Sequence, residues 1–281
     1  MLRLPAPLPP IHALDALVET DARLLTLLDG LSLADWDQPT IVPRWRVRHV
    51  AGHLLDTALR RLSIVRDGFA GDGPASGSPE DLRAFIDRIN ADGVAIYGRL
   101  SPAVLTDLMR AAVPGLHAYF GGLDPQVPAA FAVSWAGEST SPVWFDLARE
   151  LTERWHHQEQ IRLALNRPGI MTPALYHPVL DCFMRVLPHA YRHVDAPEGT
   201  HLECEVPGDC GDTWRLIRSG GRWLLTGDQL VDPTTRVTIP EAVAWRLFTK
   251  GLSRADRDAA VTISGDRALA EPLLHAVAIV G

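Results

Sequence analysis

The spacing of apolar residues changes once along the chain, and this change limits the fold more than any other feature. Over roughly the first two thirds, apolar residues recur at three- and four-residue steps, the pattern of helices with one buried face. From about residue 200 onward, short runs alternate apolar and polar residues between Gly, Asp and Pro turns, which is typical of strands. We therefore expect a helical part followed by a part that mixes strands and helices.

The same pattern, with its Pro and Gly breaks, sets approximate limits for each element. The predicted helices of the first part cover residues 11–28, 46–68, 79–100, 101–114, 143–165 and 173–193. The second part is predicted to hold strands at 201–206, 213–218, 222–226, 236–239 and 260–263, and helices at 240–250 and 266–278. We expect an α+β protein of two domains, a helical bundle in residues 1–170 and a connecting helix with a small α/β domain in residues 171–281.

Charge and composition argue against several classes of protein. Lysine and arginine number 27 against 34 aspartate and glutamate, a net charge of −7 without a basic cluster, which argues against nucleic acid or anionic lipid as a partner. No window of about 18 apolar residues occurs, and the proline-broken start MLRLPAPLPP lacks the apolar region of a signal peptide. Three cysteines without a C-x-x-C motif suit a reducing compartment. We predict a cytoplasmic protein, a monomer or a homodimer.

The segment around residue 153 carries the most informative chemical signal. Glu153 and His157 lie four residues apart on a predicted helix, so their side chains leave the same face and can converge on one point. Carboxylate and imidazole are standard ligands of zinc or iron, and a third ligand from elsewhere would leave a position for water or substrate. Taken alone, the pair is more typical of a solvated helix face than of a metal site. The alternative ligands on this helix are Glu150, Glu159 and His156.

A second histidine pair, His49 and His53, occupies the helix predicted at 46–68. His53 lies near the apolar face of this helix, whereas Arg60 and Arg61 are expected on its solvent side. A buried imidazole needs a partner, which is more often a backbone carbonyl than a metal ion. In a helical bundle, however, a histidine from one helix and an E-x-x-x-H pair from another can meet in the core. The two weak signals therefore support each other.

Several strings of this sequence resemble one known family. The strings WDQPTIVPRWRVRHVAGHLL at 36–55 and ERWHH at 153–157 resemble the DinB-like superfamily of metal-binding four-helix bundles, and most closely the mycothiol-dependent maleylpyruvate isomerase family. Later strings, AWRLFTKGL at 244–252 and ISGDRALA at 263–270, resemble the sterol-carrier-like C-terminal domain of that family. The resemblance covers nearly the whole chain. It implies a DinB-like up-down four-helix bundle followed by a small α/β sterol-carrier-like domain.

The resemblance also implies a chemistry. One divalent metal ion, zinc as the first choice, would be held by His53, Glu153 and His157. The metal would lower the pKa of a low-molecular-weight thiol cosubstrate such as mycothiol, and the thiolate would add to a double bond of a small electrophilic substrate. Expulsion of the thiolate after bond rotation gives a cis–trans isomerase, and its retention gives a thiol S-transferase. The family engages an anionic substrate through a C-terminal arginine, for which Arg246 is the candidate and Arg236 the second choice.

Two positions depart from the family pattern. The family commonly has an acid where this chain has His49, and a single histidine where it has His156 and His157. Either extra histidine is thus a candidate fourth ligand. A closed shell of four protein ligands would favour a non-catalytic metal- or small-molecule-binding module over an enzyme. The third alternative is a bundle whose histidines only pack.

Overall fold

The computed structural model describes residues 5–279 and joins a helical first part to a five-stranded sheet. The helices are α1 (Leu14–Asp29), α2 (Leu33–Trp36), α3 (Val47–Arg61), α4 (Pro79–Tyr97), α5 (Pro102–Gly121), α6 (Val143–Ala164), α7 (Pro173–Met184), α8 (Leu187–Ala190), α9 (Glu241–Phe248), α10 (Arg254–Ala260) and α11 (Arg267–Leu274). The strands are β1 (His201–Glu205), β2 (Thr213–Ser219), β3 (Arg222–Thr226), β4 (Thr235–Thr238) and β5 (Thr262–Gly265). The predicted α+β class, with a helical N-terminal and an α/β C-terminal part, is confirmed.

Four helices, α1, α3, α5 and α6, form a bundle in which α1 and α3 each pack against both α5 and α6. Their apolar stripes meet at fully buried residues such as Leu17, Leu54 and Leu151. Helix α4 lies against α3, and Gly52 permits this close approach, because a Cβ there would lie 3.2 Å from the Cβ of Tyr97. Helix α3 is therefore covered both by the bundle and by α4. None of the described helices is long and apolar enough to cross a membrane.

A buried ion pair lies inside the bundle. Arg154 of α6 and Asp21 of α1 are both fully buried, and the arginine Nε donates to the carboxylate. The same guanidinium donates to the carbonyl of Leu54 in α3 at 3.3 Å and to Sδ of Met109 in α5 at 3.7 Å. His117 of α5 bonds the second carboxylate oxygen of Asp21 at 2.8 Å. One arginine thus connects all four bundle helices, and its charge is balanced within the core.

The expectation that Arg61 lies on the solvent side of its helix is wrong. Its side chain is buried, and it donates two hydrogen bonds to Asp146 at 2.8 and 3.2 Å. Its Nε lies 2.9 Å from a carboxylate oxygen of Glu150, and its guanidinium carbon lies 5.2 and 5.1 Å from the ring centres of Phe120 and Phe131. Two carboxylates compensate the charge of the guanidinium, so the arginine can be buried at a position that the apolar pattern does not predict to be buried.

The sheet of the second part has the strand order β3-β2-β1-β4-β5. Strands β1 and β4 run parallel, and the other neighbours are antiparallel. Leu202 and Cys204 of the central strand β1 enter the hydrophobic core, which matches the period of two. Glu203 between them points to the opposite face, where it pairs with Arg215 and Arg236 at 3.0 and 2.8 Å.

One hydrophobic core extends from the bundle through α7 into the sheet. The ring of Tyr176 in α7 stacks on Trp155 in α6 with centroids 4.4 Å apart. Its hydroxyl accepts a hydrogen bond from the backbone N–H of Trp245 in α9 at 3.0 Å and donates one to the carbonyl of Glu241 at 2.9 Å. The two parts are therefore packed together, and a domain boundary at residue 170 stays a prediction.

The segment before α1 also reaches the second part. The carbonyl of Ala6 accepts hydrogen bonds from the backbone N–H of Gly227 and the hydroxyl of Thr226, both at 2.9 Å. The N–H of Ala6 donates to the carboxylate of Asp228 at 3.0 Å, a contact between residues 222 positions apart in the chain. The segment thus lies at the end of β3, an edge strand of the sheet.

Several predicted limits were wrong. Helix α5 continues through Pro114 to Gly121, although the sequence predicts an end at 114. The proline removes one backbone hydrogen bond, but the turns beyond it bury Leu116 and Phe120 in the core. The helix predicted at 173–193 divides into α7 and α8, because Pro188 starts a new helix.

Other differences concern short elements. In the helix predicted at 46–68, α3 ends at Arg61 and a π-helical turn follows. The short helices α2 and α10 were not predicted, although Ser32 and Ser253 each cap a first turn with an aspartate three residues later. Because α10 occupies residues up to Ala260, β5 begins at Thr262 rather than at the predicted residue 260. Capping signals of this kind are local and are not accompanied by an apolar repeat, so a prediction based on apolar periodicity does not detect these helices.

Replacing Arg154 by alanine is expected to lower the free energy of unfolding by about 3–5 kcal/mol, because the carboxylate of Asp21 loses its main counter-charge in the core. Denaturation by guanidinium chloride, followed by the helical circular dichroism signal, measures the change. The control is Arg110→Ala, which removes an exposed ion pair with Asp29 between α5 and α1 and is expected to cost no more than about 1 kcal/mol. Equal losses in the two variants would contradict the central role of Arg154.

Candidate metal centre

Helices α3 and α6 bring three of the sequence-predicted ligands together. His53 comes from the middle of α3, and Glu153 and His157 come from successive turns of α6. One ligand atom of each residue lies within 4.8 Å of the other two. In the described part of the chain, no other group of three or more histidine, cysteine and acidic residues is close enough to hold a metal ion. We call these three residues the triad.

The orientation of His157 is set by a residue that the sequence analysis did not identify. Nδ1–H of His157 donates to the side-chain oxygen of Gln160 at 2.8 Å, which fixes the orientation of the ring. The other ring nitrogen, Nε2, lies 3.5 Å from Oε2 of Glu153. Nε2 is therefore the nitrogen of His157 that faces Glu153. A glutamine three residues beyond a ligand histidine is the signal that would have identified it.

His53 is buried and incompletely satisfied. Its Nδ1 has no hydrogen-bond partner among the described residues, and its ring meets that of His157 edge to face with centroids 4.7 Å apart. Burial, followed by the charge of His157, holds the pKa of His53 well below its usual value, so the ring is neutral at pH 7. A neutral, buried imidazole can bind a metal ion through an unprotonated ring nitrogen.

Glu153 supplies the negative charge of the triad. Burial acts to raise its pKa, but the hydrogen bond with His157 and the neighbouring histidine charges outweigh burial and lower the pKa to about 2. The carboxylate is therefore ionised at neutral pH. One carboxylate and two imidazoles are a donor set that zinc and iron both accept, and three protein ligands leave coordination positions open.

The alternative acids on α6 are engaged elsewhere. Glu150 pairs with the buried Arg61 at 2.9 Å. Glu159 accepts a hydrogen bond from the backbone N–H of Ile170 at 2.5 Å, which fixes the chain after α6. Glu153 is therefore the acid of this helix that lies within reach of both triad histidines.

The two extra histidines make backbone hydrogen bonds and lie outside the triad. Nδ1 of His49 accepts a hydrogen bond from the N–H of Arg46 at 3.1 Å and so caps the start of α3. Nδ1–H of His156 donates to the carbonyl of Thr152 at 2.6 Å. The ring of His156 packs on His157 with centroids 4.0 Å apart, and burial, followed by the charge of His157, lowers its pKa to about 3.

Trp45 covers the triad histidines. Its ring lies 5.1 Å from the ring of His53 and stacks over that of His157 at 6.2 Å, measured between centroids. Thr40 holds the loop in place, because its N–H and its hydroxyl both donate to the carbonyl of Trp45 at 3.0 Å. The indole limits access of water to the two imidazoles from this side. Trp36 and Trp135, by contrast, are buried in the core.

Arg246 lies outside the triad, on α9. Its Nε donates to the carbonyl of Gly251 at 3.0 Å, and its side chain is half-buried. A Cβ on Gly251 would lie 3.2 Å from Cδ1 of Ile41, so the end of α9 approaches the loop between α2 and α3. Arg236, the second candidate, is bound to Glu203 on the sheet at 2.8 Å. A role for Arg246 toward an anionic substrate stays a prediction.

Comparison with known proteins gives three kinds of similarity. The family model of the mycothiol maleylpyruvate isomerase N-terminal domain matches residues 17–162. Two uncharacterized proteins of Mycobacterium tuberculosis, from strains CDC 1551 and H37Rv, are each 28% identical to the chain over 197 residues, which is 68% of this chain and 71% of theirs. The crystal structure of the mycothiol-dependent maleylpyruvate isomerase superposes with a TM-score of 0.53 at 16% identity, covering 92% of this chain and 93% of that chain.

A histidine-to-alanine mutant of a mycothiol-dependent maleylpyruvate isomerase superposes with a TM-score of 0.52 at the same identity and coverage. At this identity, the likeness shows a shared fold that extends over both parts of the chain. The match to the family model is a likeness of sequence, spans more than half of the chain and includes His53, Glu153 and His157. The protein therefore belongs to the mycothiol maleylpyruvate isomerase family.

Proposed function

We propose that the protein is a metal-dependent enzyme that activates a low-molecular-weight thiol for reaction with a small electrophilic substrate. The observation that supports it best is the triad, in which ligand atoms from α3 and α6 lie within 4.8 Å of one another. His53, Glu153 and His157 would hold one divalent metal ion, with zinc as the first choice. The unpaired buried Nδ1 of His53 and the ionised carboxylate of Glu153 fit such an ion.

The thiol is proposed to be mycothiol, because the family and the similar solved structure are described by dependence on it. A bound zinc ion would supply Lewis-acid chemistry that lowers the pKa of a coordinated thiol, so that thiolate forms at neutral pH. The thiolate then adds to a carbon–carbon double bond of the substrate, and the new single bond rotates. Loss of the same thiolate restores the double bond as the other geometric isomer. If the adduct is released instead, the reaction is a thiol S-transfer.

The chain's own residues prepare this reaction. Gln160 orients His157 so that Nε2 is available, and Trp45 restricts water on one side of both imidazoles. Arg246, on the helix end that approaches the loop carrying Trp45, is proposed to bind a carboxylate of the substrate. A cytoplasmic location and a monomeric or homodimeric state are part of this proposal.

Loading the protein with zinc is expected to leave close to one ion per chain, measured by elemental mass spectrometry after dialysis. His53→Ala, Glu153→Ala and His157→Ala are each expected to lose the ion and the rise in Tm that zinc gives the unaltered protein. His49→Ala is the matched control and is expected to keep both, because Nδ1 of His49 caps α3 and the residue lies outside the triad. A protein that stays metal-free, or an equal loss in His49→Ala, would refute the site.

Gln160→Met is expected to weaken zinc affinity by about 10- to 100-fold, because the ring of His157 loses the acceptor that fixes its orientation. Competition with a chromophoric chelator measures the affinity. Gln158→Met is the control, since the amide of Gln158 donates to the carbonyl of Thr20 on α1 at 3.3 Å and lies outside the triad. The idea fails if both variants bind zinc as tightly as the unaltered chain.

With mycothiol and maleylpyruvate, the zinc-loaded protein is expected to convert the cis double bond to trans without consuming thiol, as followed by proton NMR. Accumulation of a carbon–sulfur adduct would indicate the transferase instead, and absence of both products would contradict the proposal for this substrate.

Arg246→Met is expected to raise KM by about 10- to 100-fold with less effect on kcat, because one charged hydrogen bond is lost. Arg236→Met, whose arginine is held by Glu203, is expected to leave KM unchanged.

A further inference from the structure

A shallow, open groove of about 380 Å³ lies between α4 and the turn that precedes α3. It can hold a small molecule that stays partly exposed to solvent. Small apolar residues of α4 line one side, and cationic and aromatic residues line the rest. The lining residues are Arg44, Trp45, His49, Ala91, Val94, Ala95, Gly98 and Arg99.

Two guanidinium groups line the groove without a counter-charge. Arg44 and Arg99 are exposed, and neither has a carboxylate within 4.0 Å among residues 5–279. The nearby Arg48, by contrast, is paired with Asp37 at 3.0 Å. No acidic residue lines the groove. Two cations at one groove without a carboxylate give it a local positive charge in a chain with a net charge of −7, which favours an anionic ligand.

Arg44 occupies a backbone position that favours glycine. It has a φ of 69° and is the third residue of a turn from Val42 to Trp45, closed by a hydrogen bond of 3.0 Å from the N–H of Trp45 to the carbonyl of Val42. Pro43 at the second position and a positive φ at the third define a type II turn, in which glycine or asparagine is usual. An arginine at this position strains the backbone and places a cation at the groove, as expected of a binding residue.

His49 adds a neutral ring beside the groove. Its Nδ1 accepts the hydrogen bond from the N–H of Arg46, and the ring also hydrogen-bonds the backbone of Arg44. Burial lowers the pKa of His49, so the ring is neutral at pH 7. A Cβ on Gly98 would lie 3.9 Å from Nε2, so the absence of a side chain there leaves one edge of the imidazole beside the groove.

We propose that this groove binds a small organic carboxylate. The carboxylate would accept hydrogen bonds from Arg44 and Arg99, and the carbon skeleton would pack on the indole of Trp45, on the imidazole of His49 and on α4. Planar guanidinium groups suit a carboxylate, and the apolar wall favours an anion that carries an apolar body over an inorganic one. The site needs no metal ion, although its occupant would contact the indole that covers the triad histidines.

The test uses isothermal titration calorimetry on the full chain with benzoate, with benzamide as the uncharged analogue of the same shape, and with inorganic phosphate. Benzoate is expected to bind at least tenfold more tightly than either of the other two. The affinity is expected to be the same in chelator-treated and zinc-loaded protein. Equal affinity for benzamide or for phosphate would overturn the proposal, and so would benzoate binding that requires zinc, because that result assigns the carboxylate to the triad.

Variants separate binding from folding. Arg44→Gly is expected to lower benzoate affinity at least tenfold while Tm stays the same or rises, because glycine relieves the left-handed backbone. Arg99→Gln and Ala95→Leu, which fills the groove without removing charge, are expected to lower the affinity similarly. Arg48→Gln is the control and is expected to bind benzoate normally. Unchanged benzoate binding in Arg44→Gly and Ala95→Leu would overturn the proposal, whereas failure of zinc loading would leave it intact.

Discussion

The buried guanidinium of Arg154 determines how the two ligand-bearing helices meet. Arg154 follows Glu153 in α6 and bonds the carbonyl of Leu54, which follows His53 in α3. The register between the helices is therefore fixed one residue away from the triad on both sides. Its ion pair with Asp21 adds α1, and hydrogen bonds of defined direction set the rotation of α6 about its axis. Apolar packing alone leaves such a rotation less strictly defined.

Much of the candidate site follows from spacing and resemblance, and the remainder depends on contacts between elements. The four-residue step from Glu153 to His157 puts both on one face of any helix, and the apolar pattern places His53 in the interior. By contrast, the sequence alone leaves many possible partners for Gln160, and only the fold shows which imidazole it orients. The position of Trp45 over two rings also depends on a loop bonded by Thr40, which has no periodic signal.

The fold was predictable where one periodicity controls a whole element. The limits of β3 and the length of α6 follow almost directly from the pattern of apolar residues. The prediction was wrong where tertiary burial outweighs a local rule, as at Pro114 inside α5 and at the buried Arg61. The single core that joins α6, α7 and the sheet is also invisible in the sequence, because each helix only indicates that it buries a face and not what it buries that face against.

The contact between Ala6 and the end of β3 has a consequence for the order of synthesis. Ala6 leaves the ribosome 222 residues before Asp228, a delay on the order of tens of seconds at about 5–20 residues per second. All four bundle helices are synthesised within this interval, since they lie between Leu14 and Ala164. When β3 emerges, the segment that lies at its end is therefore already present. The end of this edge strand therefore has a partner in its own chain from the moment it forms.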